Sequence, residues 1–427
     1  MEKVLIITYY WPPAGGPGVQ RWLKFVKYLK AYNVEPIVYI PENPEYPLID
    51  ESLQDEIPEG ISILKKKIFE PYQLAQVFSK KDTSNISSGI IPETKKQTTL
   101  QKLFLYIRGN FFIPDARKFW IKPSVKYLSK YISENDIKTV ITTGPPHSLH
   151  LIGLKIKSNL PITWIADFRD PWTQIGYHKK LKLSSASKRK HLNFEHKVLN
   201  TADTIITTSY TTKAEFREKT SKPITVITNG YDETLIKEVV PDANFTLAHI
   251  GSLLSGRNPY NLWEVLSQLI SENELFAKKF KLKLVGAVSK EVLETINSFG
   301  LQNNLEVVAY VTHQEALKIQ RQSQVLLLIE IDSIETRGII PGKIFEYLAA
   351  KRPILAIGPE QWDVIRILEH TNSGKYYSYQ DTQQLKSQIL TYFNLYQDKE
   401  LRSSSKNIEE YSRKMLTGKL ANLIKNI

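Results

Sequence analysis

A supersecondary pattern that occurs twice constrains this chain most. An apolar run at residues 4–9 leads into Tyr10-Trp11-Pro12-Pro13-Ala14-Gly15-Gly16-Pro17-Gly18, then a helix-period segment over about 19–32, then a second apolar run at 34–40. Near-continuous apolar runs read as strands covered on both faces, and strand, glycine loop, helix, strand is the opening of a doubly wound α/β domain. The pattern restarts at 247–250, followed by Gly251-Ser252-Leu253-Leu254-Ser255-Gly256-Arg257-Asn258-Pro259, a helix to about 270, and strands at 282–285, 305–309 and 325–329. We therefore expect two Rossmann-like domains, 1–235 and 242–405, joined by a polar connection. A helical segment at 406–427 is long enough to reach back to the first domain. Residues 41–101 read as irregular, with the lysine pairs Lys80-Lys81 and Lys95-Lys96 in a polar stretch at 79–99.

Composition narrows the function classes. An apolar fraction of 42% with 7 Trp, 22 Tyr and 16 Phe can fill two cores, which excludes global disorder. Cysteine is absent, so disulfides, thiolate metal sites and cysteine nucleophiles are excluded. No run approaches the ~18 apolar residues of a membrane span, and the first residues do not read as a signal peptide. A net charge of +13 fits nucleic acid, an anionic membrane surface or phosphorylated substrates. The basic residues are scattered and form no nucleic-acid module, so we expect no nucleic acid. Within an insert at about 65–135, Tyr106, Phe111, Phe112, Phe119 and Trp120 interleave with Arg108, Arg117, Lys118, Lys122 and Lys126. Membrane-surface seating and core packing of a helical pair both account for that mixture.

Polar clusters stand at the carboxyl ends of the apolar runs, where open α/β sheets bind ligands. In the first half these are Thr143-Gly144-Pro145-Pro146-His147-Ser148, Asp167-Phe168-Arg169-Asp170-Pro171-Trp172 and Thr228-Asn229-Gly230-Tyr231-Asp232. Gly16-x-Gly18-x-x-Arg21 resembles a dinucleotide fingerprint but lacks its last small residue. Three glycines in four residues fit a loop that approaches an anion, or a turn that needs positive φ. Trp172 beside carboxylates fits a sugar ring, whose C–H face is apolar and whose hydroxyls need acceptors; a closed Asp–Arg–Asp network fits equally. His147 is either a ligand-touching group or a packing residue. In the second half, Arg257 could fork onto a diphosphate. Pro341 and Gly342 open a helix, Lys343 and Glu346 share one face, and Ile344, Tyr347 and Leu348 share the opposite one. That helix start suits an anion with a carboxylate a turn deeper for vicinal hydroxyls, or it is a surface ion pair. Apart from His147 and His150, three apart at a helix start and read as chance, no metal-ligand spacing occurs, nor does a GxxxxGK[ST] loop or a GxSxG elbow, so we expect no metal.

Taken in order, these motifs resemble the nucleotide-sugar glycosyltransferases of GT-B fold, nearest to glycosyltransferase family 4 in its bacterial surface-polysaccharide versions. The carriers are Pro12 to Gly18 with Arg21, Gly144 to Ser148, Asp167 to Trp172, Thr228 to Asp232, Gly251 with Arg257, and Pro341 to Tyr347. The resemblance implies two facing Rossmann-like domains with a C-terminal crossover helix. It also implies a retaining, metal-independent transfer from a UDP- or GDP-sugar to a lipid-linked or oligosaccharide acceptor. The enzyme would then be cytoplasmic or peripheral on the inner membrane face. Carried over residue by residue, Glu346 would bind the ribose. Arg257 and Lys343 would neutralise the diphosphate, helped by N–H groups at Gly342 and around Gly16 and Gly18. His147 would lie by the donor sugar and Asp167 near the acceptor hydroxyl, with Arg169, Asp170 and Trp172 at the sugar or acceptor. The family usually places a second glutamate eight positions before the ribose-binding one, and here that position is Gly338. The alternatives are a nucleotide-sugar epimerase of the same fold and a non-catalytic sugar-nucleotide binding subunit.

Overall fold

The computed structural model describes residues 1–70, 99–174, 181–232 and 239–427, without the side chains at 17 and 99–104. The lysine pairs at 80–81 and 95–96, and nearly all of the 79–99 stretch, lie outside the described residues. The chain divides into two compact units. The first is Met1–Thr228 together with Arg413–Ile427, and the second is Asn229–Ser412.

The first unit is a seven-stranded parallel sheet. Its strands are β1 (Glu2–Ile7), β2 (Val34–Pro41), β3 (Ser62–Lys66), β4 (Thr139–Gly144), β5 (Thr163–Phe168), β6 (Thr204–Thr207) and β7 (Ile224–Val226), in the order β3-β2-β1-β4-β5-β6-β7. Its helices are α1 (Pro17–Leu29), α2 (Thr99–Phe111), α3 (Ile121–Glu134), α4 (Ser148–Asn159), α5 (Ser185–Thr201) and α6 (Tyr210–Arg217). Alternation along β1 shows why the run is wholly apolar. Val4 and Ile6 join the core under α1, with Trp22, Val26 and Leu29. Leu5 and Ile7 join the core on the other face, with Trp120, Leu128, Ile152 and Trp164. A parallel sheet covered on both sides leaves no face for polar residues.

Strand β3 corrects the irregular reading of 41–101. It is an edge strand whose residues are partly or fully exposed and which ends in Lys65 and Lys66. Lysine-rich short edges resist pairing with other chains, and the same composition hides them from a hydrophobic-pattern reading. The insert is fastened beside this edge. Buried Arg117 pairs with buried Glu70 at 3.0 Å, and Tyr9 donates to the same carboxylate at 2.8 Å.

The second unit repeats the plan with β8 (Phe245–Ile250), β9 (Phe280–Val285), β10 (Leu305–Val308), β11 (Val325–Ile329), β12 (Ile354–Ile357) and β13 (Gly374–Tyr377), ordered β10-β9-β8-β11-β12-β13. Helices α7 (Tyr260–Glu272), α8 (Glu274–Lys279), α9 (Lys290–Ser298), α10 (His313–Gln322), α11 (Lys343–Ala350), α12 (Asp363–Thr371) and α13 (Thr382–Gln397) cover it. Side chains of Ser289 and Thr312 cap the N-termini of α9 and α10, supplying acceptors to otherwise unpaired backbone donors. Strand β13 is a short edge beginning at Gly374, which is why it escaped the sequence reading.

Helix α14 (Arg413–Lys425) belongs to the first unit. Leu416, Leu420 and Ile424 enter the same core as Val4 and Trp22. Tyr32 donates to the Lys414 carbonyl at 2.9 Å. A Cβ on Gly418 would stand 3.0 Å from the Tyr32 ring, so the bare residue permits this close approach.

In each sheet the strand order reverses between the first and fourth strands, β1 and β4 in one unit and β8 and β11 in the other. Ligands of open α/β sheets bind at the carboxyl ends flanking that reversal.

Candidate functional site

The second unit gathers four of the expected residues at its reversal point. Helix α11 is placed by Tyr347, which is fully buried. Its hydroxyl accepts from the Ile250 N–H at 3.0 Å and donates to the Leu327 carbonyl at 3.4 Å, tying the helix to β8 and β11. With Ile344, Tyr347 and Leu348 inside, Lys343 and Glu346 occupy the open face. Gly342 caps the helix with a helical φ, and its missing Cβ would meet open space.

Lys343 reaches back over the β8 end. A Cβ on Gly251, whose φ is +116°, would stand 2.8 Å from Lys343 Nζ. The ammonium hydrogen-bonds to His249 Nε2 at 3.1 Å and pairs with no carboxylate among the described residues. Burial lowers it to about 8, and Arg257 adds to this, while Glu330 and Glu346 oppose it. Arg257 is held by a bidentate contact to Glu330, Nε to Oε1 at 3.0 Å and Nη2 to Oε2 at 3.1 Å. Glu330 itself is fully buried at the end of β11. Glu346 accepts from Gln320 at 2.9 Å and hydrogen-bonds to His313 at 3.0 Å, both on α10.

Sequence reasoning missed Glu330 and His249. A carboxylate directly after the apolar run 325–329 was a legible signal for Glu330. Nothing marked His249, an interior strand residue. Gly338 lies in a loop fixed by Trp362, which donates to the Ile339 carbonyl at 2.6 Å, and by Asp363, whose N–H donates to the Arg337 carbonyl at 2.8 Å. The nearby Glu335 is exposed and accepts from the Ser333 hydroxyl.

In the first unit the other expected residues converge on the ends of β1, β4 and β5. Asp167 is fully buried and its oxygens are engaged: Arg21 pairs at 2.9 Å, and Trp22 Nε1 and the Thr143 hydroxyl each donate at 2.9 Å. Arg21 also donates to the Thr228 carbonyl at 2.9 Å. Arg169 donates to the Pro145 carbonyl and lies over Tyr10 at 5.8 Å. A Cβ on Gly18 would fall 1.8 Å from Arg169 Nη1, so the guanidinium occupies the space a side chain there would need, whereas Gly16 caps α1 with φ +100°. Both glycines thus have requirements within the unit. Burial lowers the Arg169 guanidinium and raises the Asp170 carboxyl, with Arg169 pulling the latter back down. His147 is buried and stacks on Trp172, ring centroids 4.7 Å apart and planes 4° from parallel. Trp172 Nε1 donates to His191 Nδ1 at 3.2 Å. His150 is held neutral by burial, down to about 3, with its Nδ1 2.9 Å from the Thr142 hydroxyl. Among the described residues no group of three or more His, Cys, Asp or Glu could hold a metal.

The core-packing reading of the basic and aromatic insert holds for part of it. Trp120, Ile121 and Leu128 are core residues. Phe111 (63% exposed), Phe69 (54%) and Phe119 (43%) are not. Lys118 Nζ lies 5.3 Å from the Phe112 ring centre and 5.1 Å from that of Phe119. No helix among the described residues is long and apolar enough to cross a membrane.

Two parallel-sheet Rossmann-like domains of this order are the architecture of the GT-B glycosyltransferases, and that is the fold class of this chain. Within it, residues 90–235 match the family described as Glycosyltransferase Family 4, in keeping with the resemblance carried by the motifs. Solved structures of similar fold include Anabaena HepE with UDP and glucose, at 14% identity and TM-score 0.59 over 100% of both chains. S. aureus TarM, in a variant bound to fondaparinux, α-GlcNAc-glycerol and UDP, matches at 12% identity and TM-score 0.57, again over 100% of both. A putative UDP-N-acetylglucosamine 2-epimerase from Listeria monocytogenes matches at 11% identity and TM-score 0.53, covering 99% of this chain and 95% of that one. A comparison with curated protein sequences gives no match.

Proposed function

We propose that the protein is a retaining, metal-independent glycosyltransferase that moves a sugar from a nucleotide-sugar donor to a lipid-linked or oligosaccharide acceptor in surface-polysaccharide synthesis. The observation that carries this is the second unit's cluster, in which the Lys343 ammonium reaches over the bare backbone of Gly251, Glu330 orients the Arg257 guanidinium, and Glu346 stands one turn along α11 from Lys343. Lys343 and Arg257 meet the diphosphate, with N–H groups at the start of α11. Glu346 accepts from the ribose hydroxyls, and His313 and Gln320 hold it in place. As the bond from the sugar's anomeric carbon to the phosphate oxygen breaks, negative charge grows on the leaving diphosphate, and fixed cations stabilise that state more than the ground state. The anomeric carbon bonds to the acceptor oxygen on the same face, and the acceptor proton passes to the departing phosphate.

In the first unit, His147 on Trp172 and the Arg169–Asp170 pair are assigned to the sugar and acceptor. Asp167, with its oxygens engaged, is assigned to hold the β5 end from which they project. UDP is the first nucleotide to test, because the HepE and TarM structures hold it. Thermal-shift measurements against UDP-, GDP-, ADP- and CMP-sugars test the reading: one series should stabilise, by about 2.7 kcal/mol at a hundredfold excess over Kd. If none shifts the transition, the donor site is misassigned. Release of altered sugar without an acceptor would favour an epimerase instead.

The exposed phenylalanines around Lys118 support seating on an anionic membrane, where such an acceptor would be found. Phe111→Ser with Lys118→Glu should lower co-sedimentation with phosphatidylglycerol vesicles on the order of tenfold, since each basic residue near such a surface contributes about 1 kcal/mol. Equal binding to neutral vesicles, or an unchanged double variant, would remove the membrane from the proposal.

A further inference from the structure

We infer that His249 is the positioning residue that sets the Lys343 ammonium over Gly251, where the donor diphosphate would bind. This rests on the donor-site reading above and adds a residue outside the family motifs.

The ring is fully buried in β8. Its Nδ1 lies 3.1 Å from the Leu327 carbonyl, which can only accept. Nδ1 therefore carries the proton. Its Nε2 lies 3.1 Å from Lys343 Nζ, which as an ammonium can only donate. Nε2 therefore presents a lone pair, and the ring is the neutral tautomer that relays the position of the β11 backbone to the lysine. The Ser252 carbonyl, 3.4 Å from Nε2, would favour a second ring proton. That proton would put another cation beside Lys343 and Arg257. Burial, and then Lys343, hold the ring well below the ordinary histidine value.

A lysine reaches its partner through four flexible carbons, so an ammonium without an anchor samples many positions. Here both ends of the anchor are interior strands of one sheet. The charged groups acting on Lys343 come from every side: Arg257 from the loop after β8, Glu330 from the end of β11, and Glu346 from its own helix. Glu330 holds Arg257 in the same manner, so each of the two cations has its own buried holder.

The side-chain nitrogen and oxygen of glutamine reach the place of Nε2, and those of asparagine the place of Nδ1. His249→Gln keeps an acceptor for Lys343, while His249→Asn keeps only the contact to Leu327. By calorimetry with UDP and with GDP, His249→Asn should weaken binding about tenfold, the loss of one charge-assisted hydrogen bond, and His249→Gln by less than about threefold. In a Lys343→Ala background His249→Asn should cost nothing further. Equal losses in the Gln and Asn variants, or an undiminished loss in the Lys343→Ala background, would overturn the inference. A ligand-free readout separates it from the donor-site reading. The Lys343 side-chain resonance should titrate near 8 in the wild type, lower in His249→Asn, and near the wild-type value in His249→Gln. If neither nucleotide binds the wild type, the donor site fails. An unmoved Lys343 titration then removes His249 from its role as well.

Discussion

Lys343→Ala is expected to leave the fold intact and to lower the rate of sugar transfer by about 100- to 1000-fold, the loss seen when one preorganised partner of developing charge is removed. The clean separation of fold from function comes from its surroundings. Arg257→Ala would strand Glu330, a fully buried carboxylate, and breaking a buried pair costs about 3–5 kcal/mol, so its activity loss would be mixed with instability. Lys343 leaves no carboxylate stranded. Its pH behaviour has a definite sign. The folded protein holds the ammonium at about 8, below the ~10.4 of an unfolded lysine. The charged form is therefore disfavoured by folding, and its contribution to stability rises as pH climbs from about 8 to ~10.4. A bound diphosphate favours the ammonium, so binding takes up a proton and weakens as pH rises through about 8. In Lys343→Ala both dependences should vanish. A wild-type Kd for UDP that stays flat between pH 7 and pH 9.5 would show that Lys343 does not face the diphosphate.

The second large effect concerns Asp167. Asp167→Ala leaves the Arg21 guanidinium, whose side chain is 1% exposed, without its carboxylate, and frees donors on Trp22 and Thr143. A cost of about 3–5 kcal/mol follows, which for a domain of this size is on the order of 10 °C in Tm. Asp167→Asn keeps an acceptor and should fall between. Both losses are read by calorimetric melting of the full chain. An Asp167→Ala protein that melts with the wild type but has lost activity would make Asp167 a group of the reaction and not a holder of the strand end.

The double occurrence of strand, polar loop and helix was legible because parallel sheets covered on both faces demand unbroken apolar runs. The second half of the cluster was legible for the same reason: a helix opened by Pro341 and Gly342 can present only one face outward, and Lys343 and Glu346 lie on it. What escaped has physical causes too. Strands β3 and β13 are edges, half covered, so their residues obey no burial pattern. His249 and Glu330 act through contacts to a helix and a loop far along the chain, over sequence separations of 94 and 73 residues, and no local spacing encodes such a pairing. The strand-end residues of the first unit were found, yet which of Asp167's neighbours would fill its oxygens depended on Arg21 and Trp22 turning inward from α1.

The interleaving of the two units has a consequence for synthesis. Because the first unit is closed by Arg413–Lys425, a nascent chain that has already made all of β1–β7 still lacks Leu416, Leu420 and Ile424, which complete the core shared with Val4 and Trp22. The second unit must emerge, and can fold, before the first is sealed. Truncation just before Arg413 should therefore damage the unit made earliest and spare the one made latest, the reverse of what distance along the chain suggests. A ribosome-held first domain would offer that open apolar seam to chaperones until the last helix arrives.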